Sequence, residues 1–126
     1  MNRHAAREKA LQILFQLDMN DKHPEQAIKD YLESLEIDPY LQVLVEGVSE
    51  HKNTIDDTIA NHLENWTIDR IASVERTILR IAVYELSWQD DVPQNAAINE
   101  AVELAHKYGD DKSGKFVNGV LANIIV

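Results

Sequence analysis

Apolar residues recur along most of the chain at the three-to-four-residue spacing of an α-helix, not at the alternate spacing of a strand. Only four glycines and three prolines interrupt this pattern in 126 residues. The first periodic run covers residues 3–19, and its predicted buried face consists of Ala6, Ala10, Ile13, Leu14 and Leu17. The pattern predicts an all-α protein of about seven helices.

Proline and capping residues indicate where the helices of the first half begin. Pro24 and Pro39 each suit the first position of a helix, and Asp38 is the predicted cap before Pro39. The segment Thr54 to Asp57 has the spacing of a capping box, so a helix is predicted to restart there.

Capping residues also indicate where the last two helices begin and end. Asn95 is the predicted cap of the next-to-last helix, and Gly109 suits its C-terminal end. Asp111 or Ser113 is then expected to cap the last helix. No internal repeat or long linker appears, so residues 1–126 are predicted to form one domain.

Residues 74–88 are apolar around most of the helical circumference, which is typical of a helix surrounded by others. Glu85 projects onto an apolar face of this central helix, beside Ile78 and Ile81. An unpaired carboxylate is costly in such a place. We therefore expect Glu85 to pair with an arginine or to accept hydrogen bonds from the start of a neighbouring helix.

Composition excludes several kinds of site. The chain has no cysteine, so disulfides and thiolate metal sites are excluded. Gly-rich phosphate loops, metal-ligand histidine pairs and nucleophile motifs are absent from the sequence, which predicts a protein that is not an enzyme and has neither a cofactor nor a metal. The N-terminus does not resemble a signal peptide and no apolar run is long enough for a membrane span, so a cytoplasmic protein is expected.

The net charge of −10 is unevenly distributed. Residues 1–9 carry +2 and residues 106–116 carry +1, whereas residues 10–105 carry −13. Two small basic segments therefore lie near opposite ends of an acidic chain and are expected to meet in space if they share a partner.

The first helix carries a stripe beside its buried face, formed by His4, Arg7, Leu11 and Phe15 and adjoined by Arg3. Guanidinium groups pair with phosphates and an aromatic ring stacks on an unpaired base, so this combination suits single-stranded nucleic acid. The alternative is that Leu11 and Phe15 simply belong to the core.

Gly119 interrupts the last predicted helix at a cost of about 1 kcal/mol relative to alanine. It lies one turn beyond Lys115 and Phe116, so its missing side chain leaves a notch beside an ammonium group and an aromatic ring. Two interpretations remain open: the notch admits another helix of the same protein, or it belongs to a ligand surface.

Four segments together resemble the NusB family of bacterial transcription antitermination factors, in order and in spacing. They are "AREKALQILFQLD", "VERTILRIAVYEL", "VPQNAAINEAVELA" and "KFVNGVLANI", and the similarity covers nearly the whole chain. The resemblance implies two small packed helical bundles. It also implies binding of the boxA element of ribosomal RNA leader transcripts, together with the ribosomal protein NusE, within the RNA polymerase antitermination complex.

The resemblance also implies positions for the two contact surfaces. The RNA-binding residues carried over by position are Arg3, His4, Arg7, Phe15, Tyr108, Lys112, Ser113, Lys115 and Phe116. The residues expected to contact the protein partner are Glu75, Arg76, Arg80 and Tyr84 on the central helix.

This chain departs from the family pattern near its N-terminus. His4, Ala5 and Ala6 interrupt the longer arginine run that family members often carry, and Phe15 stands where a tyrosine is common. Fewer phosphate contacts predict weaker binding alone and a shallower salt dependence. The competing hypothesis is a helical protein-interaction or dimerisation module that binds no RNA, and some relatives dimerise, so a homodimer is also considered.

Overall fold

A computed structural model describes residues 1–20, 23, 25–26, 29–30, 38–64 and 66–125. Six α-helices occupy most of this described part, together with one short 3-10 helix, Ile68–Arg70. The α-helices are α1 (Arg3–Met19), α2 (Pro39–Glu50), α3 (Lys52–Ala60), α4 (Ser73–Trp88), α5 (Gln94–Tyr108) and α6 (Ser113–Ile124). The all-α prediction is confirmed. The helix expected to begin at Pro24 falls on a stretch that lies mostly outside the described residues.

Helix α4 is the centre of the packing, as its apolar circumference predicts. Residues 77–85 are all buried, and α4 packs against α1, α2 and α3 on one side and against α5 and α6 on the other. The described helices thus form two groups that share α4. Gly47 of α2 permits one close approach, because a Cβ there would overlap the ring of Tyr84.

The predicted capping box at Thr54 is wrong. Helix α3 begins at Lys52, directly after α2, and Thr54 lies in its first turn. His51 ends one helix and precedes the next, and its carbonyl accepts the Ile55 amide at 2.9 Å. The backbone satisfies this helix start without a side-chain cap, which the sequence pattern does not reveal.

The predicted starts of the last two helices also shift. Pro93 precedes α5, so Asn95 lies inside the first turn and does not cap it. Lys112 precedes α6, so neither Asp111 nor Ser113 is the capping residue. Gly109 ends α5 as predicted. Each error is one or two residues, the usual uncertainty of a boundary inferred from capping preferences.

Candidate nucleic-acid interface

Arg7 and Glu85 form a buried ion pair between α1 and α4. Arg7 Nε lies 2.9 and 3.0 Å from the two carboxylate oxygens of Glu85, and Arg7 Nη2 lies 2.9 Å from Oε2. The hydroxyl of Tyr40 donates a further hydrogen bond to Glu85. Burial lowers the pKa of Arg7, but the bonds to Glu85 outweigh it and leave the pKa raised. The expectation that Glu85 pairs with an arginine is confirmed.

This pair corrects the surface stripe predicted for α1. Arg7 is 6 % exposed and Glu85 is 1 % exposed, so the guanidinium faces the protein interior. Leu11 is buried as well and belongs to the core. Helical projection placed both residues on a flank of α1, but that flank is covered by neighbouring helices. Arg7 in this structure has no face from which to contact a phosphate.

Arg3 and His4 remain on the surface, but each already has an acidic partner. Arg3 Nη2 lies 2.6 Å from Asp91 Oδ2, and its guanidinium stands over the ring of Tyr40 at 4.4 Å. His4 Nδ1 lies 2.7 Å from Glu100 Oε2, and this hydrogen bond raises the pKa of His4. An RNA phosphate would have to compete with these carboxylates.

Tyr108 connects α5 to α1. Its hydroxyl donates to Glu8 Oε1 at 2.7 Å and accepts from Gln12 Nε2 at 3.2 Å. Lys107 Nζ lies 2.8 Å from the same Glu8 oxygen, and the bonds from Lys107 and Tyr108 lower the pKa of Glu8. Tyr108 also lines a hollow of about 360 Å³ together with Phe15. The structure therefore brings together two of the predicted residues from distant parts of the sequence.

Ser113 is buried and completes the turn before α6, so its side chain faces the fold and its RNA contact stays a prediction. Its Oγ accepts the Asp110 amide at 2.9 Å, and Asp110 Oδ1 accepts the Lys112 amide at 2.8 Å. The Lys112 amide and the Ser113 hydroxyl lower the pKa of Asp110. These bonds fix the backbone that presents Lys112 and the first turn of α6.

Lys112, Lys115 and Phe116 form an accessible part of the predicted site. Both lysines are exposed, and Phe116 is half-buried against the core. Among the residues that the structure describes, none would lie within 4 Å of a Cβ added to Gly119. No described helix packs against Gly119, which contradicts the interpretation that it admits a neighbouring helix, and the notch beside Lys115 and Phe116 is open in this part of the structure.

The two ends of the chain are linked less directly than the charge pattern suggested. Among the described helices, α1 packs most closely on α2 and α4, while α6 packs on α5 and α4. The connection between the ends runs through the C-terminal turn of α5, where Lys107 and Tyr108 contact Glu8.

The predicted protein-contact residues lie mainly within an ion network. Arg80 binds Asp56 through Nε and Nη2 at 2.8 and 2.9 Å and Asp18 through Nη1 at 3.3 Å. Arg76 Nη2 lies 2.8 Å from the second oxygen of Asp18. Burial raises the pKa of Asp18, but these arginines outweigh it and leave the pKa lowered. The network joins α1, α3 and α4, so a stabilising role explains both arginines.

Tyr84 is also turned into the fold. It is 7 % exposed, and its ring stacks on that of Trp88 with centroids 5.6 Å apart. Glu75 is partly accessible, and it lines a hollow next to Lys112 and Phe116. Partner contact through the buried Arg80 or Tyr84 would require the fold to rearrange, whereas Glu75 and Arg76 are each partly accessible.

Sequence reasoning overlooked Trp66 and Arg70. Trp66 is 55 % exposed and lies in the connection before α4, where it seemed only a linker residue. Arg70 is exposed four residues later, and both side chains line the hollow that contains Phe116. The available signal was a tryptophan in the polar segment "NWTIDR", which has no helical periodicity to bury it.

The side chains of His4, Glu100 and Glu103 could together reach one metal ion, with ligand atoms within 4.8 Å of one another. His4 already bonds to Glu100, so the arrangement is explained without an ion. Within the described ranges, no helix has both the length and the apolar character needed to cross a membrane.

Comparison with known proteins relates this geometry to one family. The sequence profile of the NusB family matches residues 4–126. A transcription antitermination protein NusB from Oceanobacillus iheyensis is 61% identical, with 99% of each chain covered. The solved structure of T. maritima NusB superposes with a TM-score of 0.89 at 36% identity, covering 98% of this chain and 90% of that one.

A second solved structure contains antitermination factors NusB and NusE in complex with dsRNA. Its matching chain has a TM-score of 0.87 and 35% identity, covering 97% of this chain and 94% of that one. Sequence and architecture agree over nearly the full length, and the chain therefore belongs to the NusB family.

Proposed function

We propose that this protein is a transcription antitermination factor. It binds boxA-type single-stranded RNA of ribosomal RNA leaders together with NusE and acts within the RNA polymerase antitermination complex. The observation that carries the proposal is the full-length similarity to NusB proteins, one of which has been solved with NusE and RNA.

The accessible cations and aromatic rings of this chain support an RNA-binding role. Lys112, Lys115 and Phe116 are presented at the start of α6, and Phe15 and Tyr108 share a neighbouring hollow. The hollow of Phe15 and Tyr108 is also lined by Val74, and the hollow beside Lys112 and Phe116 is also lined by Glu75. The two hollows are therefore adjacent at the first turn of α4. Aromatic rings beside cations favour unpaired bases, because a duplex keeps its bases stacked internally.

The proposed RNA surface is narrower than the set of residues implied by the family resemblance. Arg7 and Ser113 are not included, because both are buried and engaged in the fold. Arg3 and His4 join the surface only if RNA displaces Asp91 and Glu100. For NusE, we propose the acidic surface of residues 10–105 as the attractive feature for a basic ribosomal protein.

The remaining features of the proposal follow from the same role. The protein acts as a non-catalytic adaptor in the cytoplasm, where its RNA and polymerase partners are, and residues 1–126 act as one NusB-like domain. It needs neither cofactor nor metal. Self-association to a homodimer is compatible with RNA binding if the partner copy leaves the start of α6 open.

The test is a fluorescence titration of a boxA-type RNA strand with the protein, alone and with NusE present. We expect saturable binding that strengthens with NusE, weakens with salt, and exceeds binding to the same sequence as a duplex. A protein that binds NusE or itself but no RNA would support the alternative, a protein-interaction or dimerisation module. Stoichiometric turnover of RNA or nucleotide would contradict a non-catalytic adaptor.

A further inference from the structure

Two hollows meet at the side chains of Trp66 and Phe116. One, of about 410 Å³, is also lined by Arg70 and Lys112. The other, of about 450 Å³, is lined by Lys115 and Gly119. Because both aromatic residues line both hollows, they form the boundary between them. Each hollow falls in the size range of small-ligand sites, which is large enough for a nucleobase.

The charges around these hollows differ from those of the rest of the chain. Three cations line them, opposed by the carboxylates of Glu64, Glu75 and Asp110, so the net charge of −10 lies wholly outside this surface. The carboxylate of Asp110 is further occupied by the Lys112 amide and the Ser113 hydroxyl. Arg70 and Lys115 have no ion pair with any other described residue, so both remain available to an anion.

Gly119 keeps the second hollow open. It lies in the interior of α6, where alanine would stabilise the helix by about 1 kcal/mol, and no residue in the described ranges packs against it. Neither backbone strain nor a neighbouring helix therefore explains the glycine. Any larger side chain at this position would project into the space beside Phe116 and Lys115.

We propose that Trp66 and Phe116 form a stacking platform for two consecutive unpaired nucleotides of an RNA strand, one base in each hollow. Arg70 and Lys112 hold the phosphate on one side, and Lys115 holds the phosphate on the other. The occupant is RNA and not a protein segment because an exposed and a half-buried aromatic ring beside accessible cations match bases and phosphates. This inference rests on the proposed RNA-binding function and extends it to residues that the family resemblance did not indicate.

Tryptophan fluorescence tests the platform directly, because the chain has only two tryptophans. In Trp88→Phe, Trp66 is the sole tryptophan, and we expect a boxA-type strand to quench its emission with the same midpoint as binding. The matched variant Trp66→Phe retains only Trp88, which stacks on His51 with centroids 4.2 Å apart, away from both hollows. Its emission should not respond to RNA.

Affinity measurements supply the second test. Trp66→Leu keeps apolar bulk but removes the stacking face, so the dissociation constant should rise roughly 5- to 150-fold, the range of one lost base stack. Trp66→Phe keeps an aromatic face, so its dissociation constant should rise less than that of Trp66→Leu. The salt dependence of binding should stay unchanged in both variants, because no cation is removed. Unfolding measured beside binding separates these effects from a folding defect.

Gly119→Leu provides a test without removing any contact. It should leave the fold at least as stable and still weaken RNA binding, whereas Ala122→Leu, exposed on the same helix but outside both hollows, should not weaken it. If neither Trp66→Leu nor Gly119→Leu changes the dissociation constant for RNA, the platform is overturned and the proposed function is left intact. Weakened NusE binding with unchanged RNA affinity would overturn it in favour of a protein contact. Failure of the unmodified chain to bind RNA, with or without NusE, would overturn both proposals.

Discussion

Arg7 and Lys115 are alike in the sequence, because each is a basic residue near an aromatic residue at one end of an acidic chain. In the structure they have opposite environments. Arg7 is enclosed between α1 and α4, with its guanidinium bonded to a buried carboxylate. Lys115 is exposed on α6 beside an open hollow. The first residue holds the fold together and the second is free to meet a ligand.

The difference shows that a basic residue on a predicted helix flank stays accessible only when no buried acid binds it. Glu85 is the deciding partner, because desolvating a lone carboxylate is more costly than desolvating a bonded ion pair. The distance of 78 positions between Arg7 and Glu85 hides this relation from any local pattern.

The largest effect is expected at the buried pair. Arg7→Ala should lower the free energy of unfolding by about 3 to 5 kcal/mol, because it leaves Glu85 charged, buried and without its main partner. Chemical denaturation measures this loss. A double variant, Arg7→Met with Glu85→Leu, should recover much of the stability, since no uncompensated charge remains. If Arg7→Ala unfolds like the parent and binds RNA more weakly, the contrast between Arg7 and Lys115 is wrong.

Two glycines offer the next comparison, between a packed and an open surface. Gly47→Ala should destabilise by about 1 to 3 kcal/mol, because the new methyl group would overlap the Tyr84 ring. Gly119→Ala should stabilise by up to about 1 kcal/mol, since the space around it is open. Thermal unfolding of both variants is the measurement. The two substitutions should change the melting temperature in opposite directions. A lower melting temperature for Gly119→Ala would contradict the open space around this residue.

Lys115→Ala should affect binding and leave folding nearly unchanged. The slope of log affinity against log salt should fall by about 0.7, the contribution of one phosphate contact on a single strand. Stability should change by less than about 0.5 kcal/mol, as is usual at an exposed position. Lys52→Ala removes the same charge from α3, outside both hollows, and serves as the control. If both variants reduce the salt slope equally, the effect comes from the overall charge of the protein and not from a phosphate contact at Lys115.

The smallest expected effect concerns pH. The hydrogen bond to Glu100 raises the pKa of His4, so the charged form of His4 is favoured in the folded state. Its stabilisation should be complete below the ordinary pKa of about 6.5 and should disappear as pH rises through the raised value. The melting temperatures of the parent and His4→Gln should therefore converge at high pH. The gap should be small, since the pair is exposed, and a gap that widens with pH would refute the assignment.

The fold was largely predictable because helical periodicity is a local property. The apolar spacing of residues 74–88 identified the central helix, and the burial of Glu85 predicted a partner, of which the arginine was one of two alternatives. Helix starts were less predictable at Thr54 and Asn95, because preceding residues and the backbone satisfied the first amides instead. Capping preference describes only one of several ways to satisfy those groups.

The candidate site was predictable only in part. Lys112, Lys115 and Phe116 are accessible as expected, and their assignment to RNA contact stays a prediction until titrations are made. Arg80 and Tyr84 were expected to face a partner, yet both are buried, because carboxylates and rings from other helices cover them. Trp66 was overlooked for the opposite reason, since it is an aromatic residue that stays more than half exposed.

The sequence by itself determined the helical class, the central position of residues 74–88, the acidic character of residues 10–105 and the resemblance to the NusB family. These properties depend on residue spacing and composition, which are fixed along the chain. Only the tertiary structure decided which cations are bound internally and which remain open, because this depends on acids and aromatic rings brought together from distant positions. Arg7 is buried because it binds Glu85, whereas Lys115 is exposed beside Gly119, where no described residue fills the adjoining space.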